Sequence, residues 1–110
     1  ALDGPSPRDA IPHLEYLDAR EQNSISFAVQ LAKLYAADHD WDRAIAKAER
    51  ATRIAPYDPT PRELAATLAI AQKHYGEARR HLTALTKLEP ARAAHRQRLE
   101  ALDKLEGAAK

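Results

Sequence analysis

Apolar residues recur along this chain at spacings of three and four, in six stretches separated by short polar turns. This spacing is typical of helices with one buried face. The stretches predict helices at about 9–21, 24–38, 40–55, 60–73, 76–88 and 93–107. Between the third and the fourth, the turn at 56–59 contains two prolines, which prevent one helix from continuing into the next.

Capping residues predict where the helices begin and end. Asp9, Ser24 and Asp40 are predicted N-caps, because their side-chain oxygens can accept hydrogen bonds from the free backbone N–H groups of a first turn. Thr60 is the clearest predicted cap, since a proline follows it directly and a carboxylate lies three residues after it. Gly107 is predicted to end the last helix.

The pattern also repeats with a period of 34 residues. Positions one period apart hold side chains of the same kind: Trp41 and Tyr75, Ala32 and Ala66, Ala44 and Ala78, Ile54 and Leu88. A fixed period of this size indicates a stack of small helical units, each packed on its neighbours. The sequence therefore predicts an extended surface of the kind used for binding.

These positions resemble the tetratricopeptide repeat, a helix–turn–helix unit with a characteristic set of small, aromatic and proline residues. Residues 25–58 carry the pattern at Leu31, Ala32, Tyr35, Ala44 and Pro56. Residues 59–92 keep it less fully, at Ala65, Ala66, Ala78, Leu82 and Pro90. In the second unit Ala69 replaces the tyrosine, and in both units the first tryptophan is replaced, by Ala28 and by Arg62.

The resemblance implies an all-α fold of about six helices, in which antiparallel helix pairs stack as a short right-handed superhelix, an α-solenoid. The predicted domain covers 1–110, with a partial repeat helix at 8–23, repeats at 25–58 and 59–92, and a capping helix at 93–107. Alanines are expected where paired helices cross, because larger side chains would overpack the contact. Because two repeats usually belong to a longer array, we expect the chain to be a piece of a larger protein.

In this family the first helix of each repeat lines a concave groove, which binds a segment of a partner protein. The groove residues that the resemblance implies are Ser26, Val29, Gln30, Lys33, Glu63, Leu64, Thr67 and Ile70. Family members that recruit chaperones grip a terminal carboxylate with lysine and asparagine residues. Here Val29, Lys33 and Leu64 occupy those positions with other side chains, so no chaperone-type carboxylate clamp is predicted.

Charge adds one candidate surface to this picture. The formal net charge is only +1, yet residues 73–98 carry seven Lys/Arg against two Asp/Glu. A solvated helix face is the first interpretation of this stretch, and an acidic protein partner is the second. Nucleic acid is disfavoured, because Tyr75 is the only aromatic residue there on which a base could stack.

The residue types argue against catalysis. The chain contains no cysteine and three glycines, which excludes thiolate chemistry and a glycine-rich phosphate loop. His39 and His74 fall in turns, and His81 and His95 are interpreted as solvated or capping side chains without a carboxylate motif. The prediction is therefore no catalytic residue, no metal site and no cofactor.

The sequence thus predicts a protein–protein interaction scaffold that binds a partner segment, protein or peptide, in its concave groove. The alternative is a non-catalytic accessory or oligomerisation segment of a larger enzyme or assembly protein, with this face covered by its own chain. Self-association through exposed repeat ends is a further expectation. No signal or membrane-spanning segment is visible, which weakly favours the cytoplasm.

Overall fold

The computed structural model describes residues 7–21 and 23–109. All regular structure in these two ranges is helical: α1 (Pro7–Arg20), α2 (Ile25–Ala37), α3 (Trp41–Ile54), α4 (Pro59–Ala71), α5 (Tyr75–Leu88) and α6 (Ala93–Ala109). The six predicted helices and the all-α class are confirmed. The predicted domain also includes residues 1–6, 22 and 110, which lie outside the described residues.

Each helix packs against the next one along the chain, and α2 also contacts α4. This nearest-neighbour packing is that of a helical solenoid. The Cα radius of gyration is 15.1 Å, above the roughly 13 Å of a compact domain of about 100 residues. None of the helices in the described ranges combines the length and the apolar character that crossing a membrane would require.

Two apolar clusters form the core, and α4 belongs to both. Ala65 and Leu68 pack into the first cluster with side chains of α2 and α3. Ala66 and Ala69 pack into the second with side chains of α5 and α6. Since residues one apart on a helix point to different faces, neighbouring alanines let one helix bury two sides.

The predicted alanines at the helix crossings are confirmed as core residues. Ala32 and Ala44 are completely buried in the first cluster, and Ala66 and Ala78 are completely buried in the second. Trp41 packs at the edge of the first cluster.

Three helix ends differ from the prediction. Helix α4 begins at Pro59 with Asp58 as its N-cap, because the Asp58 carboxylate accepts a hydrogen bond from the Thr60 N–H at 3.0 Å. Thr60 is therefore not the cap, and Pro61 lies buried in the first turn, where a missing N–H costs little. The helix was misplaced because Asp58 and Pro59 offer the same cap-and-proline pair two residues earlier.

The other two differences lie at the ends of the chain. Helix α1 begins at Pro7 rather than after Asp9, so Pro12 lies in its second turn. Arg8, whose carbonyl loses a partner there, is exposed to water. Helix α6 continues through Gly107 to Ala109, because Gly107 does not take the left-handed conformation that ends a helix.

Two helices end in the same turn, one period apart. His39 and Lys73, with φ of 59° and 60°, are the left-handed residues that follow α2 and α4. At the second turn, the N–H groups of Lys73 and His74 donate to the carbonyls of Ile70 and Ala69 at 3.0 and 2.8 Å. This is the Schellman arrangement, in which glycine is the usual left-handed residue.

We expect Lys73→Gly to stabilise the domain. A side chain in the left-handed region costs roughly 1–2 kcal/mol, offset in part by the chain entropy of glycine, so a net gain of about 0.5–1 kcal/mol is expected. Urea unfolding measures the change. Gln72→Gly is the matched control, because Gln72 has a φ of −96° and gains no relief, so its loss of stability is expected. Equal effects of both substitutions would contradict the assignment of Lys73 as a strained left-handed residue.

We also expect Ala44→Leu and Ala78→Leu to destabilise the domain by about 1–3 kcal/mol each, because the added atoms have no space at a close helix contact. Thermal unfolding followed by circular dichroism measures this change. Ala46→Leu is the control, since Ala46 lies on α3 and is exposed. Unchanged melting of both crossing variants would show that the helices do not cross at these alanines.

Candidate functional site

The eight predicted groove residues lie on two helices, four on α2 and four on α4. Ser26, Gln30, Lys33 and Thr67 are exposed, whereas Val29, Glu63, Leu64 and Ile70 are partly buried. Leu64 contacts the first core cluster, and Ile70 contacts the second. The groove positions therefore combine a polar surface with the edges of the core.

The α2 residues face α1. Gln30 and Lys33 line a cavity of about 380 Å³ together with Ala10, Leu14 and Leu34. The lining is mostly apolar, with the polar ends of Gln30 and Lys33 as its only long polar side chains. We call this space the α1–α2 cavity. It has the composition of a binding pocket, an apolar surface with a few polar groups.

Two of the four α4 residues, Glu63 and Thr67, contact α6 or the turn before it. The Arg92 Nη1 donates to Glu63 Oε1 at 3.1 Å, and the Arg98 Nη2 donates to Thr67 Oγ1 at 3.0 Å. No hydrogen bond joins the α2 set to the α4 set among the described residues. The structure thus divides the predicted groove into an apolar part beside α1 and a polar part beside α6.

A charged network that the sequence prediction missed joins α1 to α3. The Lys47 ammonium contacts Glu15 at 2.6 Å and Asp18 at 3.0 Å, and Arg50 also contacts Asp18. Asp18 is 1% exposed, and Tyr35 donates to Glu15 at 2.5 Å. The sequence held a signal for this network. Glu15 and Asp18 are three residues apart on α1, and Lys47 and Arg50 are three residues apart on α3.

The network shifts the pKa values of its members. Burial raises the pKa of Tyr35 to about 12, with a further contribution from its hydrogen bond to Glu15. Burial acts to raise the pKa of Glu15, but the hydrogen bonds from Lys47 and Tyr35 outweigh it, and the pKa is lowered. Burial acts to lower the pKa of Lys47, but its bonds to Glu15 and Asp18 raise it. The three groups therefore stabilise one another in these protonation states.

We expect the stability of the domain to fall between pH 10 and 12. The folded pKa of Tyr35, about 12, lies above its ordinary value of 10.0, so this contribution is complete below pH 10 and is lost as the pH rises through 12. In Tyr35→Phe this part of the loss should disappear, while the part due to Lys47 remains.

Urea unfolding at several pH values measures this prediction. Near neutral pH, Tyr35→Phe should cost about 0.5–1.5 kcal/mol, the usual value of one hydrogen bond. Tyr57→Phe is the control, because Tyr57 is 85% exposed. An equally steep alkaline loss in wild type and Tyr35→Phe would contradict the role of this hydroxyl.

The interpretation of His81 and His95 as solvated or capping side chains is wrong. They are 1% and 2% exposed, and the Nε2 of each contacts a carboxylate: Glu49 at 2.6 Å for His81, and Glu89 at 2.8 Å for His95. Glu49 lies on α3, 32 residues from His81 along the chain. Glu77, four residues before His81 on the same helix, was the one visible signal.

The two histidines belong to groups with the composition of a metal site. Glu49, Glu77 and His81 place their ligand atoms within 4.8 Å of one another, as do Glu63, Glu89 and His95. These donors suit zinc.

Each group, however, already contains an arginine between its carboxylates. Arg80 contacts Glu77 at 2.5 Å and Glu49 at 3.5 Å. Arg92 contacts Glu63 at 3.1 Å and Glu89 at 3.2 Å. Because a guanidinium already provides the positive charge, we interpret both groups as ion-pair networks that connect helices.

Comparison with known protein families gives a match over residues 6–85, to the family described as Anaphase-promoting complex, cyclosome, subunit 3, a family of tetratricopeptide-type repeats. The match spans more than half of the chain. The chain belongs to this family. The predicted relation to tetratricopeptide repeats is thereby confirmed. A comparison with curated proteins found no match.

Solved structures with the same fold include SycD, the type III secretion translocator chaperone of Yersinia enterocolitica. The TM-score is 0.79 at 18% identity, over 92% of this chain and 74% of that one. A second structure, of SycD in complex with a peptide of the translocator YopD, gives a TM-score of 0.72 at 17% identity, over 93% and 78%. At this identity the likeness establishes the fold.

These structures correct one prediction about partners. The sequence predicts no chaperone-type carboxylate clamp, because Val29, Lys33 and Leu64 occupy its positions with other side chains. That prediction is wrong, because a chaperone with a bound peptide shares this tetratricopeptide-type fold. The error has a physical cause: three side chains test for one mode of carboxylate binding, whereas a superhelix also presents apolar surface to a peptide.

Proposed function

We propose that this domain binds an extended or helical segment of a partner protein, in the manner of a chaperone, on the face formed by α2 and α4. The α1–α2 cavity is the observation that carries the proposal, since two predicted groove residues, Gln30 and Lys33, line it. The tetratricopeptide-type fold supports a role as a protein–protein interaction scaffold. The peptide in the SycD complex supports the same role.

The cavity suits one large apolar side chain of the partner. Leu14 and Leu34 provide apolar walls, and Ala10 leaves room between the helices. Burying a leucine or phenylalanine side chain in such a place contributes about 1.5–3 kcal/mol. Lys33, exposed at the cavity, provides a positive charge for a carboxylate or a backbone carbonyl of the same segment.

The polar part beside α6 supplies hydrogen-bonding groups. Arg98 and Thr67 form one exposed pair, and Arg92 and Glu63 form another. A guanidinium carries five N–H donors, so these arginines can keep their contacts and still bond the backbone of an extended segment. Under this proposal the partner's apolar side chain enters the α1–α2 cavity, and its backbone continues across α4 towards α6.

We infer a binding role rather than a catalytic one. The tetratricopeptide-type and SycD-type families are non-catalytic scaffolds. Several polar clusters join helices, such as the ion pair of Lys47 with Asp18 and the contact of the His81 ring with the Glu49 carboxylate. Their contacts are used within the fold, which supports a structural purpose.

A cavity-filling variant tests the proposal. Selection from a library of random peptides displayed on phage should yield ligands that share a large apolar residue. Ala10→Trp, at an exposed position that lines the cavity, and Lys33→Glu should each weaken binding of those peptides about tenfold, which is about 1.4 kcal/mol. Isothermal titration calorimetry measures the affinities.

Ala46→Trp is the matched control, because it adds the same side chain at an exposed position of α3 away from the cavity. Its affinity should equal that of the wild type. Equal binding by Ala10→Trp would place the peptide elsewhere. If no peptide is selected and the protein self-associates in sedimentation experiments, the oligomerisation alternative would replace the proposal.

A further inference from the structure

A second surface lies where the ends of α3 and α5 meet the turn before α4. Two cavities there, of about 430 and 380 Å³, share Pro56, Arg62 and Ala84 and therefore form one continuous trough. Arg53 and Arg80 line one end of it, and Tyr57, Lys87 and Leu88 line the other. We call this surface the basic trough.

The basic residues of the trough come from three helices. Arg53 belongs to α3, Arg62 to α4 and Lys87 to α5. Arg53 and Lys87 are exposed, and neither forms an ion pair with any of the described residues. The Arg62 Nε donates to the Pro56 carbonyl at 3.3 Å, which holds this guanidinium against the turn.

Little negative charge opposes them. Glu49 is the one carboxylate among the lining residues, and it already contacts His81 and Arg80. Asp58, in the adjoining turn, accepts the hydrogen bond of the Thr60 N–H as the cap of α4. The trough therefore presents an excess of positive charge that the fold itself does not neutralise.

Helix dipoles account for only part of this arrangement. Arg53 and Lys87 lie in the last turns of α3 and α5, where a positive charge is favourable. Arg62 lies in the first turns of α4, where a positive charge is unfavourable, and yet it joins the other two. The hydrogen bond to the Pro56 carbonyl holds Arg62 there, and it brings a third positive charge beside Arg53 and Lys87.

The predicted basic stretch at 73–98 does not form this surface by itself. Most of its arginines are engaged within the fold: Arg79 contacts Asp103 at 2.6 Å, Arg92 contacts Glu63, and Arg98 contacts Thr67. Arg80 and Lys87 are the basic members of the stretch that line the trough, and Arg80 is paired with Glu77 and Glu49. The unneutralised charge is therefore assembled by packing and not by the run of basic residues.

Apolar surface lies beside the charge. Tyr57 is 85% exposed, and Pro56 and Leu88 line the same end of the trough. Exposed aromatic and arginine side chains are enriched at protein interfaces. A stacked series of aromatic residues, which single-stranded nucleic acid requires, is lacking among the lining residues, where Tyr57 is the one aromatic ring besides His81.

We propose that the basic trough is a second docking site, which binds an acidic segment of a partner protein that carries one aromatic or aliphatic side chain. The carboxylates of the segment contact Arg53, Arg62 and Lys87, and its apolar side chain packs against Tyr57 and Leu88. The site is separate from the α1–α2 cavity, because the two share no lining residue.

The test uses a short fluorescein-labelled peptide that is rich in glutamate and has one central phenylalanine. Fluorescence anisotropy should show saturable binding at low salt. Arg53→Glu/Lys87→Glu should weaken this binding at least about tenfold, and raising NaCl from about 50 to about 500 mM should weaken it further, because exposed charges are screened. Replacing the central phenylalanine by glycine should also weaken binding.

Lys73→Glu/Lys104→Glu is the matched control, since it makes the same change in net charge at exposed positions outside the trough. Equal loss in the two double variants would mean that only net charge matters and would overturn the proposal. Absence of binding by the wild type would also overturn it. Tighter binding of a labelled oligothymidylate than of the peptide would overturn it in favour of nucleic acid.

The acidic peptide also tests whether the trough is a separate site from the α1–α2 cavity. Ala10→Trp should leave its affinity unchanged, because Ala10 does not line the trough. The affinities of the phage-selected peptides therefore test the groove proposal, and the affinity of the acidic peptide tests the trough proposal. Competition between the two ligands for one site would overturn the proposal of a second site.

Discussion

The close approach of neighbouring helices at fully buried alanines is the constraint on which the rest of this structure depends. Ala44 and Ala78 occupy equivalent crossings one repeat apart, and each is completely buried. Because alanine side chains are small, the helix backbones approach closely at such a contact. The helices therefore form a close-packed stack with few large aliphatic side chains between them. Helix α4 makes such contacts on two sides, since Ala65 packs into the first cluster and Ala66 packs into the second.

Polar contacts then connect helices that do not follow one another directly along the chain. Asp18 of α1 is joined to Lys47 of α3, and Glu49 of α3 is joined to His81 of α5. Buried charges are costly unless they are paired, so each contact favours one alignment of the helices over others. The side chains of these residues are thereby held in contacts between helices.

The same packing leaves two surfaces whose groups the fold does not use. The α1–α2 cavity is apolar with one exposed lysine, whereas the basic trough carries three positive charges beside an exposed tyrosine. An apolar pocket and a charged trough select different chemistry in a partner. A small repeat domain with both could hold one segment of a partner while a second, acidic segment docks elsewhere, which is how linked weak sites gain affinity.

Sequence pattern was sufficient to predict the helices, their period and the crossing alanines, because each of these depends on residues within a few turns of one another or on identity at a fixed spacing. It misplaced the start of α4, where Asp58–Pro59 and Thr60–Pro61 are locally equivalent caps and the hydrogen bond of Asp58 decides between them. It also predicted eight groove positions on α2 and α4. Spacing could not show that Gln30 and Lys33 lie beside α1, or that Thr67 contacts α6.

The side chains that meet across helices could not be predicted without the packed fold. The partners of His81 and of Asp18 lie about thirty residues away along the chain, and the four basic residues of the trough come from three different helices. A repeat period relates equivalent positions, but it does not say how far a glutamate or arginine side chain extends, or towards which neighbour. Those contacts follow from the angle and distance at which packed helices cross, and that geometry exists only once the alanines are buried.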